Sequence, residues 1–408
     1  MFSYTYSQIS NEVKINLFQN SNYTHFLNNN QEGLYPKNKS FSNIEILSRI
    51  KYNNPNIESK IVWSMIDSSI KIIYLDTTFD LKKIKIKLGS FNSEKLYISP
   101  QYSSGSMIFS KNAKKIPGFS MNSKWRPILN MEYKMEFFHG KFPKQKNYVD
   151  GPYLHYKSVM LRKKLSNALI GFSIQHAVQF GGYDINGSKI PIDLTDFSNV
   201  VFSRNGSNSQ PLSDQLYRAG NALGAFTLSI EKINNFKVYY EHYIEDKSGL
   251  KTLNFGDGLL GINIFSDKFN LLFELVNTKN QSGNKHPPGA DSYYSHQIYN
   301  FGWSNDNQTI GNSFIHTKNN RIFAYNLGLI ATHKSLSYHI SSAKIKSFIP
   351  YQGNNNNQPY ENHNDLLDTR ELLLLGLEKM VNENKYISIY FSKDRSYKNV
   401  LISYKLSF

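Results

Sequence analysis

Val400-Leu401-Ile402-Ser403-Tyr404-Lys405-Leu406-Ser407-Phe408 closes the chain. Counted back from the terminus, Phe408, Leu406, Tyr404, Ile402 and Val400 fall on one face of an extended segment. Ser407, Lys405, Ser403 and Leu401 fall on the other. Side chains alternate with a period of two along a strand. The segment is therefore a strand with one apolar, aromatic face and one mostly polar face. The segment before it, Lys385 to Ser392, ends in a turn around Lys393-Asp394-Arg395.

The same alternation recurs toward the start. Val13, Ile15 and Leu17 interleave with Glu12, Lys14 and Asn16. Asn43 to Tyr52, Ile57 to Ile66, Ile70 to Phe79 and Leu81 to Phe91 continue it, the last alternating apolar residues with lysine through its middle. Period two over such lengths predicts strands. Further segments follow at Asn130 to Phe138, Lys157 to Leu165 and Ala168 to Phe180, then at Ala222 to Lys232, Asn235 to Glu245, Leu259 to Phe265 and Asn270 to Asn277. Short turns, Ile233-Asn234 and Ser266-Asp267-Lys268, split the last two pairs. Long polar stretches (Asn92 to Trp125, Gly182 to Asn221, Lys279 to Tyr293, Ile349 to Thr369) read as loops. Short turns at one end and long loops at the other describe an up-and-down barrel. No helical period is visible, and no shift in composition marks a second domain, so residues 1–408 are expected to form one barrel domain.

Composition agrees. The 408 residues are 40% hydrophobic with a mean hydropathy of −0.48. The longest apolar run, Leu372 to Leu377, includes Gly376. A spanning helix needs roughly 20 apolar residues. Aromatic residues make up 14% of the chain, which argues against disorder. A polar average that conceals alternation is the profile of a transmembrane β-barrel; a large soluble β-protein shares it. A last strand ending in an aromatic residue resembles the assembly signal of bacterial outer-membrane barrels, carried here by Tyr404, Leu406 and Phe408. An open strand edge in lipid leaves backbone groups unsatisfied, so the last strand is expected to pair with the first. No charged region followed by an apolar core precedes Met1-Phe2-Ser3-Tyr4-Thr5-Tyr6, and the sequence reads as a mature chain.

With no cysteine, disulfides, thiolate metal sites and cysteine nucleophiles are excluded. The 11 histidines are scattered without metal-ligand spacing, and no cofactor is implied. Gly220, Gly224, Gly256, Gly258, Gly261 and Gly283 read as turn and close-approach glycines, since no phosphate-loop ending follows them. A hydrolase would need a serine held by a histidine. Ser173 or Ser295 with His176 or His296 could be drawn so, but nothing orients them, and no catalytic role is expected. The net charge of +16 lies on lysines alternating along strands, which does not fit nucleic-acid binding.

Between Asn147 and Gly311 the chain resembles the capsule assembly protein Wzi family in its Bacteroidetes form. Four stretches carry the resemblance: Tyr148 to Lys157, Gly220 to Gly224, Tyr239 to Gly261, and Glu274 to Asn312 with its Asp291-Ser292-Tyr293-Tyr294-Ser295-His296 core. The resemblance implies an outer-membrane barrel of about 18 antiparallel strands with long extracellular loops. It implies a non-enzymatic, lectin-like attachment of capsular or other surface polysaccharide. A pore for small solutes or oligosaccharides is the alternative. Lipid, lipopolysaccharide and the barrel assembly machinery are the other implied partners. Sugar binding needs aromatic faces beside amides and carboxylates. Clustering and resemblance together nominate Asp291, Tyr293, Tyr294, His296, Tyr299 and Trp303. The same aromatics could equally belong to a barrel's interfacial girdle.

Overall fold

A computed structural model describes residues 8–20, 41–51, 54–65, 68–90, 102–144, 150–184, 186–190, 192–204, 220–232, 235–245, 254–281, 292–296, 298–299, 301–349 and 366–408. The strands are β1 (Gln8–Asn20), β2 (Phe41–Lys51), β3 (Asn56–Ser64), β4 (Ile70–Asp80), β5 (Ile84–Ser90), β6 (Pro117–Ser123), β7 (Arg126–Ile128), β8 (Met131–Lys141), β9 (Tyr153–Lys164) and β10 (Ala168–Phe180). After the helix α1 (Leu194–Phe202) come β11 (Asn221–Lys232), β12 (Phe236–Ile244), β13 (Gly258–Phe265), β14 (Phe269–Asn277), the short β15 (Ser304–Asn305) and β16 (Gln308–Thr309), β17 (Ile322–His333), β18 (Leu336–Phe348), β19 (Leu366–Asn382), β20 (Lys385–Asp394) and β21 (Tyr397–Ser407).

Each wall strand pairs antiparallel with its neighbours. β6 and β7 share one place beside β8, meeting it at Phe119↔His139 and Arg126↔Tyr133. The wall therefore has 18 strands. It closes between the ends of the chain: β1 pairs β21 with Val13↔Leu406, Ile15↔Tyr404 and Leu17↔Ile402. Beyond the ladder, Phe408 donates its amide to Asn11 O at 2.9 Å and accepts from Asn11 N at 2.8 Å.

The expected alternation decides which face is which. Ile72, Met135, Ile174, Leu228, Leu327 and Ile389 stand exposed on the outside, the apolar belt that an outer-membrane barrel turns to lipid. Inward positions are polar and buried: Asn16, Glu45, Asp76, Glu136, Gln175, Glu241 and Glu274. Leu372–Leu377, the longest apolar run, splits the same way, with Leu372 and Leu374 buried and Leu375 and Leu377 exposed. Residues 165–167, 266–268, 334–335 and 383–384 make short turns at one end; the strand ends that the long connections join lie at the other. In outer-membrane barrels the short turns are periplasmic and the long loops extracellular.

Three expected loops differ in the structure. Asn92 to Trp125 contains β6, and 102–116 runs inside the barrel. Ile349 to Thr369 gives its last four residues to β19. Gly182 to Asn221, expected without helical period, carries α1. That helix starts on a reciprocal cap: the Asp193 carboxylate accepts from Asp196 N and the Asp196 carboxylate from Asp193 N. Nine residues give too few turns for a period to stand out.

Candidate functional site

β12 and β14 each turn a carboxylate into the lumen, Glu241 and Glu274, both without exposed surface. A buried carboxylate is costly unless hydrogen bonds replace its water. The segment 103–107 (SSGSM) supplies those bonds. Glu274 accepts from Ser103 Oγ at 2.6 Å, Ser104 N at 2.7 Å and Ser104 Oγ at 2.8 Å. From the wall it accepts Tyr239 OH at 2.7 Å and Asn326 Nδ2 at 2.9 Å. Glu241 accepts from Ser106 Oγ at 2.8 Å, from Met107 N and from Thr227 Oγ1 at 3.4 Å. Gly105 sits at φ +92°, where a Cβ would lie 2.4 Å from Ser110 Cβ; a side chain there would prevent the reversal that lets both ends of the segment face carboxylates.

The segment crosses the lumen. Tyr102 lies at one side, its hydroxyl 2.9 Å from His339 Nδ1 on β18. Lys115 lies at the other, its ammonium 3.8 Å above the Tyr74 ring on β4. Between them Met107, Ile108 and Phe109 pack against inward side chains of many strands, among them Tyr156, Leu223, Leu259, Val276, Ala324 and Ile345.

A second long connection, between β14 and β17, holds the first in place. Trp303 Nε1 donates to Ile108 O at 2.7 Å. The Tyr294 hydroxyl donates to Met107 O and accepts from Asn312 N. Asn312 Nδ2 reaches Ser104 Oγ at 2.9 Å and Gly105 O at 2.7 Å. Backbone bonds Ser110 N to Ile310 O and Ser313 N to Ser104 O, 2.7 and 2.8 Å, join the two loops directly. The result is a layer of two loops across the barrel, fastened by these hydrogen bonds and filled by apolar and aromatic side chains.

Tyr293 ties this layer to the rim. Its hydroxyl donates to Asp257 Oδ2 at 2.8 Å and accepts from Asn254 Nδ2 at 2.8 Å. Asp257, in the turn before β13, also accepts from Gln281 N at 2.7 Å and Asn280 N at 3.0 Å. Burial pushes its carboxyl up to about 6, against the opposing pull of these donors.

These placements bear on the nominated residues. Tyr293, Tyr294, Tyr299 and Trp303 have no exposed surface. Tyr293, Tyr294 and Trp303 lie inside the layer, and Tyr299 packs beside it with Ile190 and Phe301. Tyr299 donates to Gly181 O at 3.2 Å. His296 is half-buried, its Nδ1 accepting from Ile298 N at 3.2 Å and its ring 5.2 Å from that of Tyr299. Asp291 lies outside the described residues. The serine–histidine pairs drawn from sequence do not form: Ser173 is buried toward the lumen while His176 is on the outer face, and Ser295 Oγ donates to Thr317 O at 2.6 Å.

Two exposed aromatics on the loop side lay outside the nominated set. Phe255 is 77% exposed and Tyr183 45%. Phe255 stands in the turn anchored by Asp257, next to Gly256, whose carbonyl accepts from Asn277 Nδ2 at 2.9 Å. Tyr183 is bridged to Asp150 and Lys189. Neither belongs to an aromatic cluster in the sequence.

Comparison with known proteins follows the architecture. The family model "Capsule assembly protein Wzi" matches residues 93–364, more than half of the chain. A search of curated protein sequences finds no match. Among solved structures, the chain is similar to Wzi of Escherichia coli, described as an outer-membrane protein involved in group 1 capsule assembly and a carbohydrate-binding β-barrel. The TM-score is 0.64 at 13% identity, covering 98% of this chain and 84% of that one. The Pseudomonas aeruginosa barrel OccK3 superposes at a TM-score of 0.44 and 8% identity over 98% of this chain and 95% of that one, too loosely to carry an argument.

Proposed function

The chain belongs to the capsule assembly protein Wzi family, and from that premise we propose that it attaches or assembles capsular or other surface polysaccharide at the outer face of the outer membrane, lectin-like and without catalysis. The observation that carries this reading is the layer built by residues 102–116 and the described residues 293–294 and 301–315. Extracellular loops that fold inward and fasten to Glu241 and Glu274 obstruct transport and give the outer face a rigid floor. A rigid floor favours binding, because loops already ordered lose less entropy when a flexible glycan docks. Exposed Phe255 and Tyr183, each beside amides or carboxylates, supply the flat apolar faces and hydroxyl partners that sugars need. Among the described nominated residues, His296 retains partial exposure. The partners consistent with this reading are the surface polysaccharide, outer-membrane lipid including lipopolysaccharide, and the machinery that inserts barrels.

The test is a deletion strain in which cell-bound and shed polysaccharide are measured with the total. Loss of the bound fraction at constant total is expected, with rescue by the wild-type chain. An unchanged ratio would overturn the proposal. The second reading, a pore, draws support from the periplasmic half of the lumen, where ion pairs such as Glu132–Arg162 and Glu12–Lys405 keep partial exposure. A pore would require the two-loop layer to leave, which single-channel conductance measures directly.

A further inference from the structure

α1 lies outside the barrel. On β10 the lumen-facing residues are Gln175, Ala177 and Gln179, so His176, Val178 and Phe180 face outward. On β9, Leu154 and Tyr156 face the lumen, so His155 and Lys157 face outward, and on β8 Phe138 leaves His139 outward by the same parity. These outward residues are the ones α1 covers. Val200 packs with Val178, Phe180 and Ala222. The Phe197 ring lies 5.9 Å from His139, 6.5 Å from His155 and 6.1 Å from Phe180. The Lys157 ammonium donates to Val201 O, and Ser203 Oγ lies 2.9 Å from His176 Nε2.

These contacts give the helix a direction. Its middle, Phe197, meets the residues near the extracellular rim, and its end, Val201 to Ser203, meets Lys157 and His176 further down the wall. Two residues below those, on the same outward face, stand Val159 and Ile174, exposed members of the lipid-facing belt. Two strand residues span about 6.6 Å. The end of α1 thus stops immediately above the belt. The side of α1 turned away from the wall exposes Leu194, 87%, and Phe202, 64%, beside Thr195, while Phe197, packed on the wall, keeps 37% exposure. Arg204, exposed just past the helix, holds its guanidinium 5.3 Å from the Phe202 ring.

We propose that α1 is a membrane-boundary helix carried on the outside of the barrel, its exposed Leu194 and Phe202 covered by the acyl chains of the outer leaflet. Continuity with the belt identifies the occupant. Exposed Phe202, at the end of α1 that stops above Val159 and Ile174, extends an apolar surface already facing lipid. The helix also explains how His139, His155, Lys157 and His176 are tolerated on an outer wall: it shields polar side chains that lipid would otherwise meet.

The cysteine-free chain allows a direct test. Single-cysteine variants Phe202→Cys and Leu194→Cys carry a nitroxide in the refolded full chain in vesicles of dioleoylphosphatidylcholine. Ile174→Cys is the belt reference and Asn186→Cys, on the exposed loop, the water reference. Relaxation by oxygen is compared with relaxation by a water-soluble nickel chelate. The Phe202 label is expected to follow the Ile174 label, dominated by oxygen, with the Leu194 label between the references. A Phe202 label that follows Asn186, dominated by nickel, overturns the proposal. All four side chains are already exposed, and heat-modifiable migration verifies each barrel; should Phe202→Cys not fold, Phe197→Cys is read against the same references with the same two outcomes.

Discussion

Ser104 donates both its amide, at 2.7 Å, and its hydroxyl, at 2.8 Å, to Glu274, across a separation of 170 residues. One side chain of the wall therefore captures backbone and side chain of the crossing loop together. Each donor left unpaired by its loss costs roughly 1–3 kcal/mol. Combined Glu241→Ala and Glu274→Ala substitution is expected to free the layer while the wall, held by its ladders, still closes. In planar bilayers the wild-type barrel should be electrically quiet and the double variant should conduct. A quiet double variant would refute the latch.

Gly261 and Tyr239 form a second such dependence. A Cβ on Gly261 would fall 2.0 Å from Tyr239 Cζ, and the Tyr239 hydroxyl is one of the donors to Glu274. Gly261→Ala should displace the ring and weaken the same latch, at about 1–3 kcal/mol for overpacking. Its conductance should rise less than that of the double variant.

Trp303 separates packing from recognition. Trp303→Ala should destabilise by about 3–5 kcal/mol and lower polysaccharide retention only as far as it lowers the amount of heat-modifiable barrel. Trp303→Phe keeps most of the volume and loses the 2.7 Å bond to Ile108 O; retention per folded barrel should be unchanged. Phe255→Ala should do the reverse, lowering retention at full stability.

Asp257 makes the rim pH-dependent. Its carboxyl is raised from an ordinary value near 3.8 to about 6. The folded state then holds a proton that the unfolded chain has released. That stability is fully present below about pH 3.8 and is lost as pH rises through about 6. Relative to Asp257→Asn, the wild-type unfolding midpoint should fall as pH goes from 4 to 7. A constant difference would show that the carboxyl titrates normally.

Outward and inward positions of β20 should respond differently to substitution. Ile389→Arg, on the exposed face of β20, should destabilise by about 2–4 kcal/mol if it lies near the bilayer midplane. Ser388→Thr, one residue away and facing the lumen, should be mild. Deleting Phe408 removes both backbone bonds to Asn11 and the proposed assembly signal. The yield of folded barrel in cells should drop, with little change in the stability of what does fold.

Many strands are legible because one face meets lipid and the other the lumen, and that division writes period two into the residues; β17 and β18 are not named in the sequence reading, and the loop Ile349 to Thr369 overlaps the start of β19. Ala168 to Phe180 and the C-terminal strand were read almost to the residue. β6 escaped because Pro117-Gly118-Phe119-Ser120 carries turn residues at its start. The Asp291 to Trp303 cluster was visible as a cluster, but clustering does not tell a ring that faces solvent from one sealed at 0% exposure. Ser103-Ser104-Gly105-Ser106 looked like loop because small polar residues are loop composition; it packs only because Glu241 and Glu274 meet it inside the barrel.

Local alternation, turn length and an aromatic end thus determined by themselves that this chain is a closed barrel with long loops on one side. Three placements were decided only by the tertiary structure: the lumen filled by two of those loops, the nominated tyrosines and tryptophan turned inward, and a helix carried on the outer wall. The reason is physical. A strand's two faces depend on its immediate neighbours in sequence, whereas the partners of Glu274, Trp303 and Phe197 come from far along the chain, and they meet only once the wall has closed.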